Sequence, residues 1–290
     1  MLDIQNFDFS KDHFDLLISL QDALWPEPWK NWESAEMRRH DLKLIPKKCK
    51  FRLDFIKHQD NTIGFGTTAH DHWAFDPTLL DSTIALPHND KYLDCAQNYL
   101  DHQIERARKM NAKVFRAWSY QGSDWVKDFY TNNGFEISIL EYISELNLDK
   151  FFISDFESSV SSFKKSSYVI LNLEELKKLN KDWQLKLFDL WKRIEHDVPS
   201  DLDLNIEFDL WKSSVFCPWS KEEDIYIVSD SDKWMALSTY VRSLRSRDKI
   251  STELTGVLPE YRRQGICSAV KTHALLDLKK KGFKKVLTGN

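Results

Sequence analysis

The sequence predicts a mixed α/β fold built twice in tandem. Three observations carry this. Apolar periodicity alternates along the chain between a strand-like period of two and a helix-like period near 3.6. After a serine-rich stretch near the middle, the order of helices and strands restarts. The two halves also share a register: Leu86-Pro87 recurs as Leu258-Pro259 and Lys113-Val114 as Lys285-Val286, each 172 residues later (258 − 86 and 285 − 113). Thr83/Thr255 and Cys95/Cys267 fall on the same offset. A register held from strand through helix to the next strand is the mark of an internal repeat.

The elements follow in order. Ser10 to Leu24 carries Phe14, Leu17 and Ile18 on one helical face, with Ser10 or Asp12 as cap. The Trp25-Pro26-Glu27-Pro28-Trp29 run breaks it, and Trp32 to Leu44 forms a second helix ended by Pro46. Lys50 to Lys57 and Ile63 to Ala69 alternate as a hairpin across Gln59-Asp60-Asn61. A strand over Asp81 to Leu86, a long helix over Lys91 to Lys109, a strand over Lys113 to Trp118, a short helix over Asp124 to Asn132 and a closing strand or pair over Phe135 to Leu148 finish the first copy. Asp149 to Lys165 reads as a linker. In the second copy, Glu174 to Glu195 and Phe208 to Ser214 are helical. Asp224 to Ser229 and Lys233 to Val241 form a hairpin. A strand to Val257, a helix over Gly265 to Lys281 and a strand over Lys284 to Leu287 complete the pattern. The expected domains are 1–150 and 166–290. Asn290 matches Trp118, after which the first copy runs on for roughly 30 residues. The second domain is therefore expected to be incomplete at its C-terminus, or to be completed by another segment or chain.

Composition narrows the function classes. With 42% hydrophobic residues and eleven Trp in 290, the chain has ample core material. A formal net charge of −4 gives no global basic field for nucleic acid or an anionic membrane. Cys49, Cys95, Cys217 and Cys267 are scattered without a CxxC, as suits a reducing, cytoplasmic setting. The N-terminus has no signal-peptide pattern, and no apolar run reaches the length of a membrane span.

One stretch concentrates chemistry: Thr252 to Lys271, TELTGVLPEYRRQGICSAVK. It joins a strand, a turn with two arginines, a glycine and a helix start. A helix N-terminus offers unpaired N–H groups and partial positive charge to an anion. Arg262-x-x-Gly265-x-Cys267, after Gly256-Val257 and before an amphipathic helix, resembles the acetyl-CoA signature of the GNAT superfamily of N-acetyltransferases. Cys267 departs from the Gly or Ala usual at its position. Trp125 to Tyr130 followed by Asn133-Gly134-Phe135 resembles the late GNAT segment in the first copy. The resemblance implies two tandem GNAT-like domains, each a mostly antiparallel sheet flanked by helices. Opposite Arg262, Arg263 and Gly265 the first copy has Asp90, Lys91 and Leu93, so its site is degenerate.

The resemblance further implies direct acetyl transfer from acetyl-CoA to a primary amine in a ternary complex. Arg262, Arg263, Gln264, Gly265, Ile266, Cys267 and Ser268 would receive the pyrophosphate. Thr255, Gly256 and Val257 would pair with the pantetheine arm, and Asn290 would lie near it. Glu253 is the candidate base, on the premise that it shares a strand face with Thr255. Glu195-His196-Asp197, with Asp201 and Asp203, forms an acidic loop suited to a cationic amine or simply to solvent. Other features are discounted. His70-Asp71-His72 lacks a third ligand, so no metal is expected. Cys267 reads as packing against cofactor rather than as a nucleophile, and His273 as an interior residue. Arg242, Arg245, Arg247 and Lys249 read as a solvated hairpin turn or as a contact for the CoA 3′-phosphate. The expected partner is a small-molecule amine, with a homodimer left open. A non-catalytic CoA-binding or interaction protein on the same scaffold is the alternative.

Overall fold

The computed structural model describes residues 3–25, 27, 29–119, 124–157, 161, 163, 167–199 and 204–289. The chain folds as two compact units, Met1–Leu140 and Glu141–Asn290.

The first unit holds a five-stranded sheet in the order β1-β2-β3-β4-β5. Its strands are β1 (Asp3–Asn6), β2 (Phe51–His58), β3 (Asn61–Ala69), β4 (Leu79–Ala85) and β5 (Val114–Trp118). All pairings are antiparallel except β4 with β5, which are joined through the helix α3 (Leu93–Lys109). Helices α1 (Lys11–Leu24) and α2 (Ala35–Leu44) start where serine supplies a cap: Ser10 Oγ accepts from the His13 N–H and Ser34 Oγ from the Met37 N–H. One core, with Phe14, Leu17, Leu53, Phe55 and Phe65, gathers α1 and partly buried side chains of α2 on one sheet face. A second core, with Ile56, Ile84, Tyr99 and Leu100, forms under α3 and α4 (Asp124–Asn132) on the other.

The second unit holds a six-stranded sheet in the order β6-β11-β10-β9-β8-β7. Its strands are β6 (Ile143–Asn147), β7 (Val169–Asn172), β8 (Ser220–Asp230), β9 (Lys233–Arg242), β10 (Lys249–Val257) and β11 (Lys285–Gly289). Only β10 and β11 are parallel, joined by α8 (Ile266–Lys280). The helix expected over 174–195 is two. A capping box between Asn172 and Glu175 starts the short α5 (Leu173–Leu176), and α6 (Trp183–Glu195) begins anew after a turn. The helix α7 (Phe208–Val215) follows before β8. Val228, Ala236, Tyr240, Ile250 and Val257 form the core with Ile266, Val270, Ala274 and Leu278 of α8.

Two expectations are corrected. Ile143–Asn147, assigned above to the close of the first copy, is the strand antiparallel to β11, with Lys285 opposite Asn147 and Gly289 opposite Ile143. Leu146 packs into the second core, and Leu148 is fully buried in it. Burial decides the assignment. The boundary therefore falls near residue 140 rather than 150, and the edge of β11 that the reading left open is covered by an earlier segment. The strands β1 and β7 went unread; each is four residues long, too short for an alternation to register.

Candidate cofactor and active site

The site begins where β10 leaves β11. The two pair only through Lys249–Lys285, Ile250–Val286 and Ser251–Leu287. From Thr252 to Val257, β10 has no strand on that side among the described residues. The cause lies on its other edge. Thr252 pairs with Tyr240 and Thr255 with Ser238, so Glu253 and Leu254 together oppose Thr239. This is a β-bulge, which bends and twists its strand. The Thr239 hydroxyl fixes it, donating to the Leu254 carbonyl (3.3 Å) and accepting from the Leu254 N–H (3.1 Å).

The first unit shows the same strand without the bulge. Asp81, Ser82 and Thr83 pair one for one with Ala69, Thr68 and Thr67, and β5 stays paired with β4 as far as Thr83–Trp118. The bulge is one inserted residue. Val114 pairs with Leu79 and its repeat mate Val286 with Ile250, an offset of 171 (250 − 79); beyond the bulge Thr83 and Thr255 differ by 172 (255 − 83). The extra residue coincides with the parting of β10 and β11.

Past Val257, the Leu258 N–H bonds the Met235 carbonyl (2.9 Å), and a single turn, Pro259–Tyr261, reverses the chain. Arg262 Nε donates to the Val257 carbonyl (3.0 Å), and its other nitrogen forms an ion pair with Asp197. Arg263 (φ 61°) and Gly265 (φ 76°) are left-handed, which tightens the entry into α8. Gly265 sits at the N-cap with no side chain to close it, so the N–H groups of Ile266, Cys267 and Ser268 have no cap partner. In the first copy Leu93 stands in place of Gly265, with its side chain 42% exposed; the start of α3 likewise has no side-chain cap, Asn89 capping only the preceding turn Asp90–Tyr92 through the Lys91 N–H (3.1 Å).

Helix α6 covers the other face of β10. A Cβ on Gly256 would lie 2.2 Å from Ile194 Cγ2, so glycine permits the approach. The end of α6 is tied to the basic turn twice, by Arg193–Glu260 (2.7 Å) and by Asp197–Arg262. Between them lies Glu195, half-buried, whose carboxyl is raised by burial. On the α8 face, Ser238 Oγ donates to Tyr240 Oη (3.1 Å) and lies 2.8 Å from Thr255 Oγ1. Burial pushes the Tyr240 hydroxyl up to about 12.

No protein-family model matches the sequence, and no curated protein does. Solved structures do match in fold. A tandem GNAT protein from the clavulanic acid biosynthesis pathway matches at TM-score 0.68 and 11% identity, covering 100% of this chain and 90% of its own. A GCN5-related N-acetyltransferase from Sphaerobacter thermophilus matches at 0.65 and 13%, covering 100% and 86%. A GCN5-related glucosamine N-acetyltransferase region of a fungal multi-domain GH3 β-N-acetylglucosaminidase matches at 0.66 and 13%, over 99% of this chain and 35% of that one. The chain has the tandem GNAT fold.

Within this GNAT fold the predicted residues divide clearly. Thr255, Gly256 and Val257 lie on the open stretch of β10, and Arg262 to Ser268 form the turn and first turn of α8. Cys267 is exposed at that helix start. Glu253 requires a correction: the bulge sets it opposite Thr239, while Thr255 sits with Ser238 and Tyr240 on the other face. Glu253 and Thr255 do not share a face, and Glu253 instead belongs to the face covered by α6. Asn290, Asp201 and Asp203 lie outside the described residues.

The basic hairpin lies away from the turn Arg262 to Ser268. Arg242 is held by Asp224 (2.6 Å) and Glu223, and Lys281, just past α8, bonds the same Asp224 (3.0 Å). These lie at the opposite end of α8 from Gly265. His70 Nδ1 accepts from the Lys50 N–H and His72 Nε2 from the Trp73 indole, so both rings have structural partners. His273 packs on Tyr226, and burial lowers its basicity. Three participants went unread. Tyr240 and Ser238 carry no signal beyond strand alternation. Tyr168, whose hydroxyl donates to Gln264 Oε1 (3.1 Å), precedes a strand the sequence did not reveal.

Proposed function

We propose that this chain is an acetyl-CoA-dependent N-acyltransferase whose second unit moves an acetyl group to the primary amine of a small molecule. One observation carries the reading: the open edge of β10 leads straight into a helix start entered at Gly265 and flanked by Arg262 and Arg263, and only the second copy combines the bulged, open strand with that glycine and those arginines.

The residues present suit such a donor. The N–H groups of Ile266, Cys267 and Ser268, with Arg262 and Arg263, would hold the pyrophosphate as charge-assisted partners. The free edge of Thr255 to Val257 would take an extended amide chain as an added strand. Acetyl-CoA supplies an activated thioester carbonyl. A backbone N–H at the end of β10 would polarise that carbonyl. The Tyr240–Ser238–Thr255 chain holds the Thr255 side chain in one orientation.

The amine must be neutral to attack. Glu195 and Glu253 belong to the helix and the strand face that meet at Ile194 and Gly256, and burial raises the Glu195 carboxyl above the ordinary glutamate range, the direction a general base requires.

Calorimetric titration of the chain with acetyl-CoA, followed by thiol release across a panel of small amines, tests the proposal. Binding with amine-dependent thiol release above hydrolysis supports it. Binding with no turnover on any amine leaves a CoA-binding module instead, and absence of binding removes both.

A further inference from the structure

The second unit has a cleft of about 410 Å³ at the far end of α8 from Gly265. Its walls are Glu223, Arg242, Ser243, Arg247, Lys281 and Phe283. The volume is in the range of small-molecule sites. The basic stretch 242–249, which lies outside the cofactor turn, supplies Arg242, Ser243 and Arg247. At the repeat offset of 172 the first copy has His70 for Arg242 and Asn111 for Phe283 (242 − 172 and 283 − 172), so the fold alone does not require these walls.

The walls are held in place. Asp224 is fully buried and accepts from Arg242 Nε (2.6 Å) and Lys281 Nζ (3.0 Å). A buried carboxylate must be paired, so it fixes both cations beside the cleft. Glu223 accepts from Arg242 Nη2, and that guanidinium lies 5.4 Å above the Phe283 ring. Arg247 stands on a turn pinned at both ends. Ser243 Oγ accepts from the Arg245 and Ser246 N–H groups (3.1 and 3.0 Å), and the Asp248 carbonyl accepts from those of Lys284 and Lys285 (2.8 and 3.1 Å).

Charge selects the ligand. Asp224 and Glu223 offset Arg242 and Lys281, and Lys281 also meets Asp277 (2.9 Å), which is not a wall of the cleft. Arg247 has no ion pair and no hydrogen bond among the described residues, and Arg242 Nη1 is likewise unbonded there. Two guanidinium groups with donors to spare therefore face one cleft. Such groups bind carboxylate and phosphate oxygens through paired N–H···O bonds.

We propose that this cleft is a second ligand site, which takes a small organic oxyanion, a carboxylate or a phosphate monoester, between Arg247 and Nη1 of Arg242. The site is separate from the cofactor turn and does not depend on the acyltransfer reading.

Arginine Nε–Hε NMR signals of the full chain, titrated with phenyl phosphate and with benzoate, test this and separate the two oxyanions. The expected result is a saturable shift of the Arg247 and Arg242 signals with at least one probe. Arg247→Ala should weaken that binding by about tenfold or more. Arg247 is exposed and outside the cofactor turn, so circular dichroism and acetyl-CoA affinity should match the wild type. Failure of both probes to saturate overturns the proposal. So does a shift reproduced by sodium chloride at equal ionic strength, a shift confined to Arg262 and Arg263, or an affinity unchanged in Arg247→Ala.

Discussion

Arg262 forms an ion pair with Asp197, two residues beyond the end of α6. The arginine best placed for a pyrophosphate is therefore engaged by a carboxylate of the loop that follows α6. An incoming anion must compete with it. Asp197→Asn should tighten CoA binding by about two- to fivefold, and Arg262→Ala should weaken it by about tenfold or more, both read by calorimetry. The two effects should shrink in high salt. Because both side chains are more than a third exposed, Tm should barely move. Weaker binding by Asp197→Asn would show that the carboxylate orients Arg262 rather than competing for it.

The glycine at the entry to α8 supports a second prediction. Gly265→Leu copies the residue found at the matching position of the first copy. Leucine at φ 76° costs about 1–2 kcal/mol and sets a side chain over the helix start. CoA binding should be lost while circular dichroism stays native. Retained affinity would mean that the anion does not bind at this turn.

The bulge supports a third. Deleting Leu254 leaves one residue opposite Thr239, as Ser82 opposes Thr68 in the first unit. The strand should then run on beside β11 and close the cleft. The expected outcome is a folded chain without measurable CoA affinity. Hydrogen exchange should show new protection on the β10 edge beyond Ser251. A deletion variant that still binds acetyl-CoA would separate the cleft from the bulge.

Much of this was legible in the sequence because it is local. Pro259, Arg262, Arg263 and Gly265 specify a turn and a helix start through their own conformational preferences, and the long helices declare themselves by periodicity. What escaped depends on partners distant in the chain. Nothing in Ile143–Asn147 states that its ladder runs to Lys285–Gly289 rather than to the first sheet. Nor does Thr252 to Val257 announce a bulge: plain alternation puts Glu253 on the face of Thr255, and the inserted residue moves it to the other. The one-residue difference in repeat offset, 171 before the bulge and 172 after, emerges only once strand pairing sets Leu79 against Ile250.

Glu195 gives a kinetic prediction. Burial raises its carboxyl, so a base acting through it should show a rising limb of kcat/KM above the ordinary glutamate range. Glu195→Gln should lower kcat by about 10²-fold or more and abolish that limb. The stability effect has the opposite sign. The folded state favours the protonated form, so this group adds stability as pH falls through its raised value, and the glutamine variant loses that dependence. An unchanged pH–rate profile would transfer the role to Glu253.

Tyr240 supports a prediction at the alkaline end. Its hydroxyl is buried among core side chains and shifted from an ordinary value of 10 to about 12, with burial as the main cause. Between those values the unfolded chain has released the proton and the folded chain still holds it. Stability of the second unit should therefore fall as pH rises from about 10 to about 12, by a total on the order of 2–3 kcal/mol from this group. Tyr226 is raised too and adds a decline of the same sign. Tyr240→Phe should flatten its own share of the slope in urea melts taken at successive pH values. It also leaves the Ser238 hydroxyl without its acceptor and the Thr255 side chain less constrained. If the chain Tyr240–Ser238–Thr255 orients the open edge of β10, the same variant should raise the Kd for acetyl-CoA by a few-fold at neutral pH, where Tyr240 is uncharged. A flattened slope with unchanged affinity would confine Tyr240 to the core.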